Sequence, residues 1–204
     1  MTESLPLFLG TNPEVIAVDL HPDMPSTRLG ERIATRRGLA LVRVQHHHAH
    51  AAACLAENGR ESGLALVFDG VGLGTDGTIW GAELMDVGAG GFRRIGTFAG
   101  APLRGGDAAT REPMRQLVGR WVSAGVQPDA ARLAQMGVSV PEAETWKQQC
   151  LSGVNTVTTH SAGRVFDSMA ALLGIVPRTI TYDGQPAALL EACAARHAGG
   201  RLPH

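Results

Sequence analysis

The chain has 204 residues, a formal net charge of −1 and 44% hydrophobic residues, enough for one domain or two small lobes built around a real core. This near-neutral balance argues against a broad nucleic-acid footprint. No run of about 18 apolar residues is available to span a bilayer, and no basic segment leads into an apolar N-terminal core, so a cytoplasmic protein with no membrane partner is expected. Cys54, Cys150 and Cys193 are odd in number and widely spaced, which indicates neither a disulfide framework nor a zinc ribbon.

In chain order, Val15 to Leu20 is expected to be a buried strand stopped by Pro22 and Pro25, followed by a helix over Thr27 to Arg37 and a strand over residues 39–44. A helix should then begin in His46-His47-His48-Ala49-His50 and run on through alanines. Leu64 to Asp69 is a third strand, and Thr78 to Met85 and Phe92 to Phe98 complete a meander. Beyond Gly106 the pattern is helical, with breaks at Gly125 to Pro128, Val140-Pro141 and Gly174 to Gly184. The fold class is α/β, a mixed sheet with flanking helices.

The histidine run carries the strongest chemical signal. His46 and His50 fall one turn apart on a single helix face, where two imidazoles can share a metal ion. The plainer alternative is a polar helix entry with one or two core-packed histidines. Cys54 continues the i, i+4 series but would lie about 12 Å from His46 along a helix, against metal–ligand bonds of about 2 Å, and is expected to be a small core residue. Position 47 is His rather than the general-base Glu of a zincin.

Asp69 ends its strand where the glycines begin, and a carboxylate there can complete a metal site with His46 and His50. Glycines 72, 74 and 77 match a dinucleotide-binding fingerprint by letter only, because Thr78-Ile79-Trp80 is strand-like where that motif needs a helix. A glycine turn between antiparallel strands can instead let backbone N–H groups approach phosphate oxygens, or can be an ordinary hairpin. Further on, Ser161 can cap a helix carrying Arg164 and Asp167, which by themselves are an i, i+3 ion pair.

Taken together, V-Q-H-H-H-A-H, F-D-G-x-G-x-G-T-D-G-T-I-W-G, G-G-D-A-A-x-R-E-P-x-R, S-A-G-R-x-F-D-x-x-A-A-L-L-G and Y-D-G-Q, with the early V-I-A-V-D-L-H-P-D-x-x-S-T-R, resemble the C-terminal catalytic domain of the HypF carbamoyltransferase family. The resemblance runs in one order from about Pro13 to about Glu191. It implies an actin-like (ASKHA) fold, similar to the TsaD proteins, with a first-lobe segment at about 13–62, a second-lobe segment at about 63–195 and an incomplete second lobe.

The same resemblance implies a divalent metal, Fe or Zn, on His46, His50 and Asp69, and ATP, AMP or carbamoyl adenylate held near Gly70, Gly72, Gly163, Asp167 and Gly184. Arg111 and Arg164 are the candidate catalytic residues. The implied reaction moves a carbamoyl group from carbamoyl adenylate, made in a separate YrdC-like domain, to the C-terminal cysteine thiolate of a HypE-like acceptor in [NiFe]-hydrogenase maturation. The YrdC-like domain, a later G-G-x-x-x-N clamp and a late metal-binding aspartate are not found in this chain. That leaves a non-catalytic metal, nucleotide or partner-binding module as the alternative to an enzyme.

Overall fold

The computed structural model describes residues 8–88, 90–127 and 130–197, with the side chain of Asp107 excepted. Strands β1 (Val15–Asp19) and β2 (Ala40–Val44) pair in parallel, from Val15 opposite Ala40 to Asp19 opposite Val44. A parallel pair needs a crossover, and helix α1 (Pro25–Arg37) provides it. Pro25, expected to be a breaker, is instead the first helical residue, where a missing N–H costs nothing. Gly38 ends α1 in a left-handed conformation that places its N–H on the Ala34 carbonyl. Helix α1 lies close on β1: a Cβ at Gly30 would come within 2.4 Å of Val18 Cγ1. The expectation of a buried first strand fails, because α1 covers a single face and leaves Val15 52% exposed.

Helix α2 (His46–Glu57) follows β2 after one residue. Strands β3 (Ser62–Leu73), β4 (Ile79–Gly88) and β5 (Gly91–Thr97) form the antiparallel meander. The alanine face of α2 packs on it, closing a core of Ala51, Val67, Trp80, Met85 and Val87. Two further strands, β6 (Ala101–Arg104) and β7 (Thr156–Thr159), pair antiparallel, and β7 meets β4 in parallel at Ile79 and Thr159. The all-helical expectation beyond Gly106 therefore fails at β7. Its Thr-Val-Thr-Thr has no apolar alternation to announce it, and Pro102 is tolerated in β6 because that strand is an edge.

The remaining elements are helices α3 (Asp107–Arg111), α4 (Pro113–Ala124), α5 (Ala130–Gln135), α6 (Val140–Ser152), α7 (Ala162–Leu173) and α8 (Gln185–Arg196). Met114, Leu117, Val118, Leu133, Trp146 and Ala171 form a second core among α4 to α7. Among the described residues, no helix is long and apolar enough to cross a membrane.

One irregularity ties the halves together. Between Phe68 opposite Ala82 and Gly72 opposite Trp80, β3 carries Asp69, Gly70 and Val71 against the single residue Gly81. The outward bulge is held by Ser161, fully buried, whose hydroxyl lies 2.9 Å from the Asp69 carbonyl and 2.7 Å from the Gly70 carbonyl. The same oxygen accepts the Arg164 N–H at 3.3 Å and so caps α7. Small residues make this approach possible: a Cβ at Gly163 would sit 2.9 Å from Gly70 Cα, and one at Gly81 2.5 Å from the Asp69 carbonyl oxygen.

From the first turns of α7, Arg164 Nη1 reaches Asp167 Oδ2 at 2.8 Å. Burial pushes the Asp167 carboxyl up to about 6, a rise that Arg164 and, from α4, Arg120 only partly oppose. Two expectations result. Ser161→Ala, which loses the cap and the donor to two carbonyls, should destabilise the fold by about 2 kcal/mol in denaturant unfolding. Because native Asp167 holds its proton to higher pH than the unfolded chain, its contribution to stability is present below about pH 4 and is lost as pH rises toward 6. Asp167→Asn should flatten unfolding free energy across that window; an unchanged slope would place the titration elsewhere.

Candidate metal and nucleotide site

Strands β1 and β2 end level with each other, which sets Asp19 beside the start of α2. Gln45 caps that helix, its side-chain oxygen accepting the His48 N–H at 2.8 Å. The cap fixes the first turn, so His46 and His50 project together and their Nε2 atoms lie 3.3 Å apart. Asp69, carried out by the bulge, brings Oδ2 to 3.2 Å from His46 Nε2. One ligand atom from each of His46, His50 and Asp69 lies within 4.8 Å of the others.

The donor set fits a divalent cation. His46 Nδ1 lies 2.8 Å from Asp19 Oδ2, so its proton belongs there and its Nε2 lone pair faces inward. Asp69 Oδ2 is buried with no hydrogen-bond donor, while Oδ1 takes the Gly70 N–H at 2.6 Å. Two imidazole nitrogens and an unsatisfied carboxylate oxygen face one another within 4.8 Å. Two histidines and one carboxylate suit Zn or Fe and leave coordination positions for other ligands.

His47 turns the other way and is fully buried. Its Nδ1 sits 2.9 Å from Gln45 Nε2, and its Nε2 lies 3.7 Å from Asp69 Oδ2. Burial lowers its pKa; Asp69 opposes that shift. Gly72 lies against this ring, since a Cβ there would come within 2.5 Å of His47 Cε1 and 3.1 Å of His46 Cβ. The close approach that Gly72 permits is therefore to the histidines.

Gly74 likewise makes room for the Trp80 indole, 2.0 Å from where its Cβ would stand. Asp76 then closes the hairpin by accepting from Thr78 N–H, Thr78 hydroxyl and Trp80 Nε1 at 3.0, 2.7 and 2.9 Å. Against the upward push of its burial, these bonds and Arg94 hold its carboxyl at about 2. Arg94 bridges from Asp76 to the fully buried Glu83, whose Oε2 it meets at 2.6 Å. The hairpin beyond Gly72 is thus a braced wall.

Gly70 faces open space. A cavity of about 450 Å³ runs along it, lined by Asp69, Gly70, Gly163, Arg164, Asp167 and Gly184 among others. A second, of about 500 Å³, shares Gly70, Val71, Thr110 and Arg164 with the first and extends toward His21 and Asn155. Gly184 starts α8 at φ 80° with no side-chain cap, so that helix turns an uncapped N-terminus to the first cavity, a favourable setting for an anion.

Six of the residues singled out in the sequence thus line one groove, and Asp69 belongs to both groove and metal triad. Gly72 and Arg111 are not brought into the groove lining. Arg111 is exposed at the end of α3, where its carbonyl accepts the Ile180 N–H at 2.9 Å. Cys54 is exposed on α2, not in the core. Sequence reasoning also passed over Asp19, His47 and Thr110 as site residues. The parallel register of β1 and β2 was the available signal for Asp19; the histidine run itself was the signal for His47, a core-packed histidine, and nothing local marked Thr110.

Two family models cover the chain: "HypF Kae1-like domain" over residues 1–57, and "Carbamoyltransferase, Kae1-like Domain, second subdomain" over residues 65–202. Carbamoyltransferase HypF of Rhodobacter capsulatus is 44% identical over 187 residues, 90% of this chain and 25% of the relative. Carbamoyltransferase HypF2 and a carbamoyltransferase HypF homolog of Cupriavidus necator are 42% and 40% identical, with 23% and 48% of their lengths covered. The chain therefore spans between about a quarter and about half of these relatives. Among solved structures, full-length HypF in a phosphate- and nucleotide-bound form superposes with a TM-score of 0.82 at 31% identity, covering 93% of this chain and 24% of that one. HypF of T. kodakarensis gives 0.79 at 33%, covering 93% and 26%. The histidine helix, the bulged strand and the α7 N-terminus lie within these matches, and the chain belongs to the HypF carbamoyltransferase family through its Kae1-like domain.

Proposed function

We propose that this chain contributes the carbamoyl-transfer site of a HypF-type enzyme, acting in the cytoplasm on carbamoyl adenylate and a cysteine thiolate of a HypE-like acceptor. The observation that carries this reading is the sharing of Asp69 between the His46, His50 and Asp69 triad and the groove of Gly70, Gly163, Arg164, Asp167 and Gly184. A nucleotide in the groove would put its phosphate end beside the triad.

The chemistry is acyl transfer. The acceptor sulfur attacks the carbamoyl carbon, the bond from that carbon to the phosphate oxygen breaks, and AMP leaves with the electron pair, giving an S-carbamoyl cysteine. Arg164, beside Gly70, faces the groove where the phosphate's negative charge would be held. The N-termini of α7 and α8 add backbone dipoles of the same sense. Gly70 permits approach without a Cβ, and Asp167, three residues beyond Arg164, pairs with that guanidinium at 2.8 Å. Zn or Fe on His46, His50 and Asp69 would supply a Lewis acid that polarises the carbonyl. The adenylate itself would come from a YrdC-like domain elsewhere in the protein or from a separate chain.

Metal analysis tests the triad. Protein purified without a histidine tag should carry about one Zn or Fe per chain, and the His46→Ala/His50→Ala variant should carry none; retention by the double variant would move the site elsewhere.

Calorimetry with AMP tests the groove. Gly163→Val, which wedges α7 off Gly70, should abolish binding, whereas Gly72→Val should disturb the histidines and reduce metal content. Equal AMP affinity in parent and Gly163→Val would remove the groove from the reading.

Transfer is tested with HypE and a separate adenylate-forming domain, following the mass of the HypE C-terminal peptide. Carbamoylation should appear with the parent and vanish in His50→Ala. HypE binding without carbamoylation in any mixture would make the chain a docking module.

A further inference from the structure

His47 sits next to the triad and takes no part in it, yet it is more deeply buried than either histidine of the triad. It is fully buried, and Gly72 is needed to admit its ring. Its partner Gln45, 4% exposed, has no freedom to flip. The Gln45 side-chain oxygen is committed to the His48 N–H at 2.8 Å, and the two hydrogens on Nε2 are directed to the Leu73 carbonyl at 3.2 Å and His47 Nδ1 at 2.9 Å. An amide N–H facing Nδ1 requires that nitrogen to accept, which leaves the ring proton on Nε2. That Nε2 is buried without an acceptor, Asp69 Oδ2 is buried without a donor, and the two lie 3.7 Å apart.

We infer that Gln45 and His47 form a positioning relay: the capping glutamine locks His47 as the Nε2–H tautomer, and this N–H restrains the Asp69 carboxylate toward His46 and His50. The locked tautomer offers no Nε2 lone pair, which excludes His47 as a metal ligand despite its nearness. Asp19 does for His46 what His47 does for Asp69, so each of these two triad members has its own orienting partner. A misplaced cap would therefore damage the metal site without touching a ligand. The inference rests on the metal reading for its purpose and on the Gln45 hydrogen bonds for its geometry, and the two can fail separately.

Long-range ¹⁵N–¹H correlation spectra of the metal-free, histidine-labelled chain should show His47 as a single Nε2–H tautomer; an Nδ1–H form, or rapid averaging between forms, would overturn the relay. Zn²⁺ titration then measures its effect. Gln45→Glu keeps the acceptor for His48 but loses the donor to His47, and should weaken Zn²⁺ binding by about tenfold to a hundredfold. His47→Leu should do the same, while His47→Gln, whose amide can still donate toward Asp69, should recover most of the affinity at similar thermal stability. Parent-like affinity in Gln45→Glu and His47→Leu would overturn the relay. A parent that binds no Zn²⁺ would sink the metal reading, and the tautomer would still decide the geometry.

Discussion

The Ser161 hydroxyl is the contact on which the site depends. One buried oxygen caps α7 and holds the Asp69 and Gly70 carbonyls of the bulged strand, so a helix from the second half of the chain is fastened to a strand from the first. A side-chain cap is worth about 1 kcal/mol, but here its one hydrogen is also shared between two strand carbonyls at the bulge. Without it, Asp69 has no reason to stand out from β3, and the α7 N-terminus no reason to face Gly70. The glycines at 81 and 163 serve the same contact by removing side chains from a backbone crossing.

From that crossing the site divides naturally. On one side Asp69 meets histidines whose orientation is set by Asp19 and by the Gln45 cap; on the other, Gly70 opens the groove that Arg164 and Asp167 border. The arrangement sets a carboxylate of the triad beside a cavity able to take an anion, joined through a single peptide unit. Such short coupling favours electrostatic preorganisation, because neither half can shift without moving the other. The braced hairpin of Asp76, Arg94 and Glu83 backs the wall behind His47 and Trp80.

Membership of the HypF family and the Kae1-like fold agree with this geometry. The contrast between Gly70 and Gly72 is instructive. In sequence both belong to one glycine-rich run and invite one explanation. In space Gly70 faces a cavity and Gly72 a pair of imidazole rings, because residues two apart in a strand share a face only until a bulge changes the register.

The sequence by itself determined the α/β class, the meander, the histidine helix, the Ser161 cap and the likeness to HypF, since each is written in local periodicity, capping chemistry or ordered motifs. It also brought together six groove residues by motif. Tertiary structure decided the rest. Strands β6 and β7 are four residues each and exist through pairing across more than fifty residues; Pro25 starts a helix because its missing N–H falls in the first turn. Cys54 ends exposed although it lies two turns beyond buried His47, and on α3 it is Thr110, not the exposed Arg111, that lines the groove. Asp19 and His47 reach Asp69 and His46 through strand register and a fixed amide, distances that no spacing along the chain encodes.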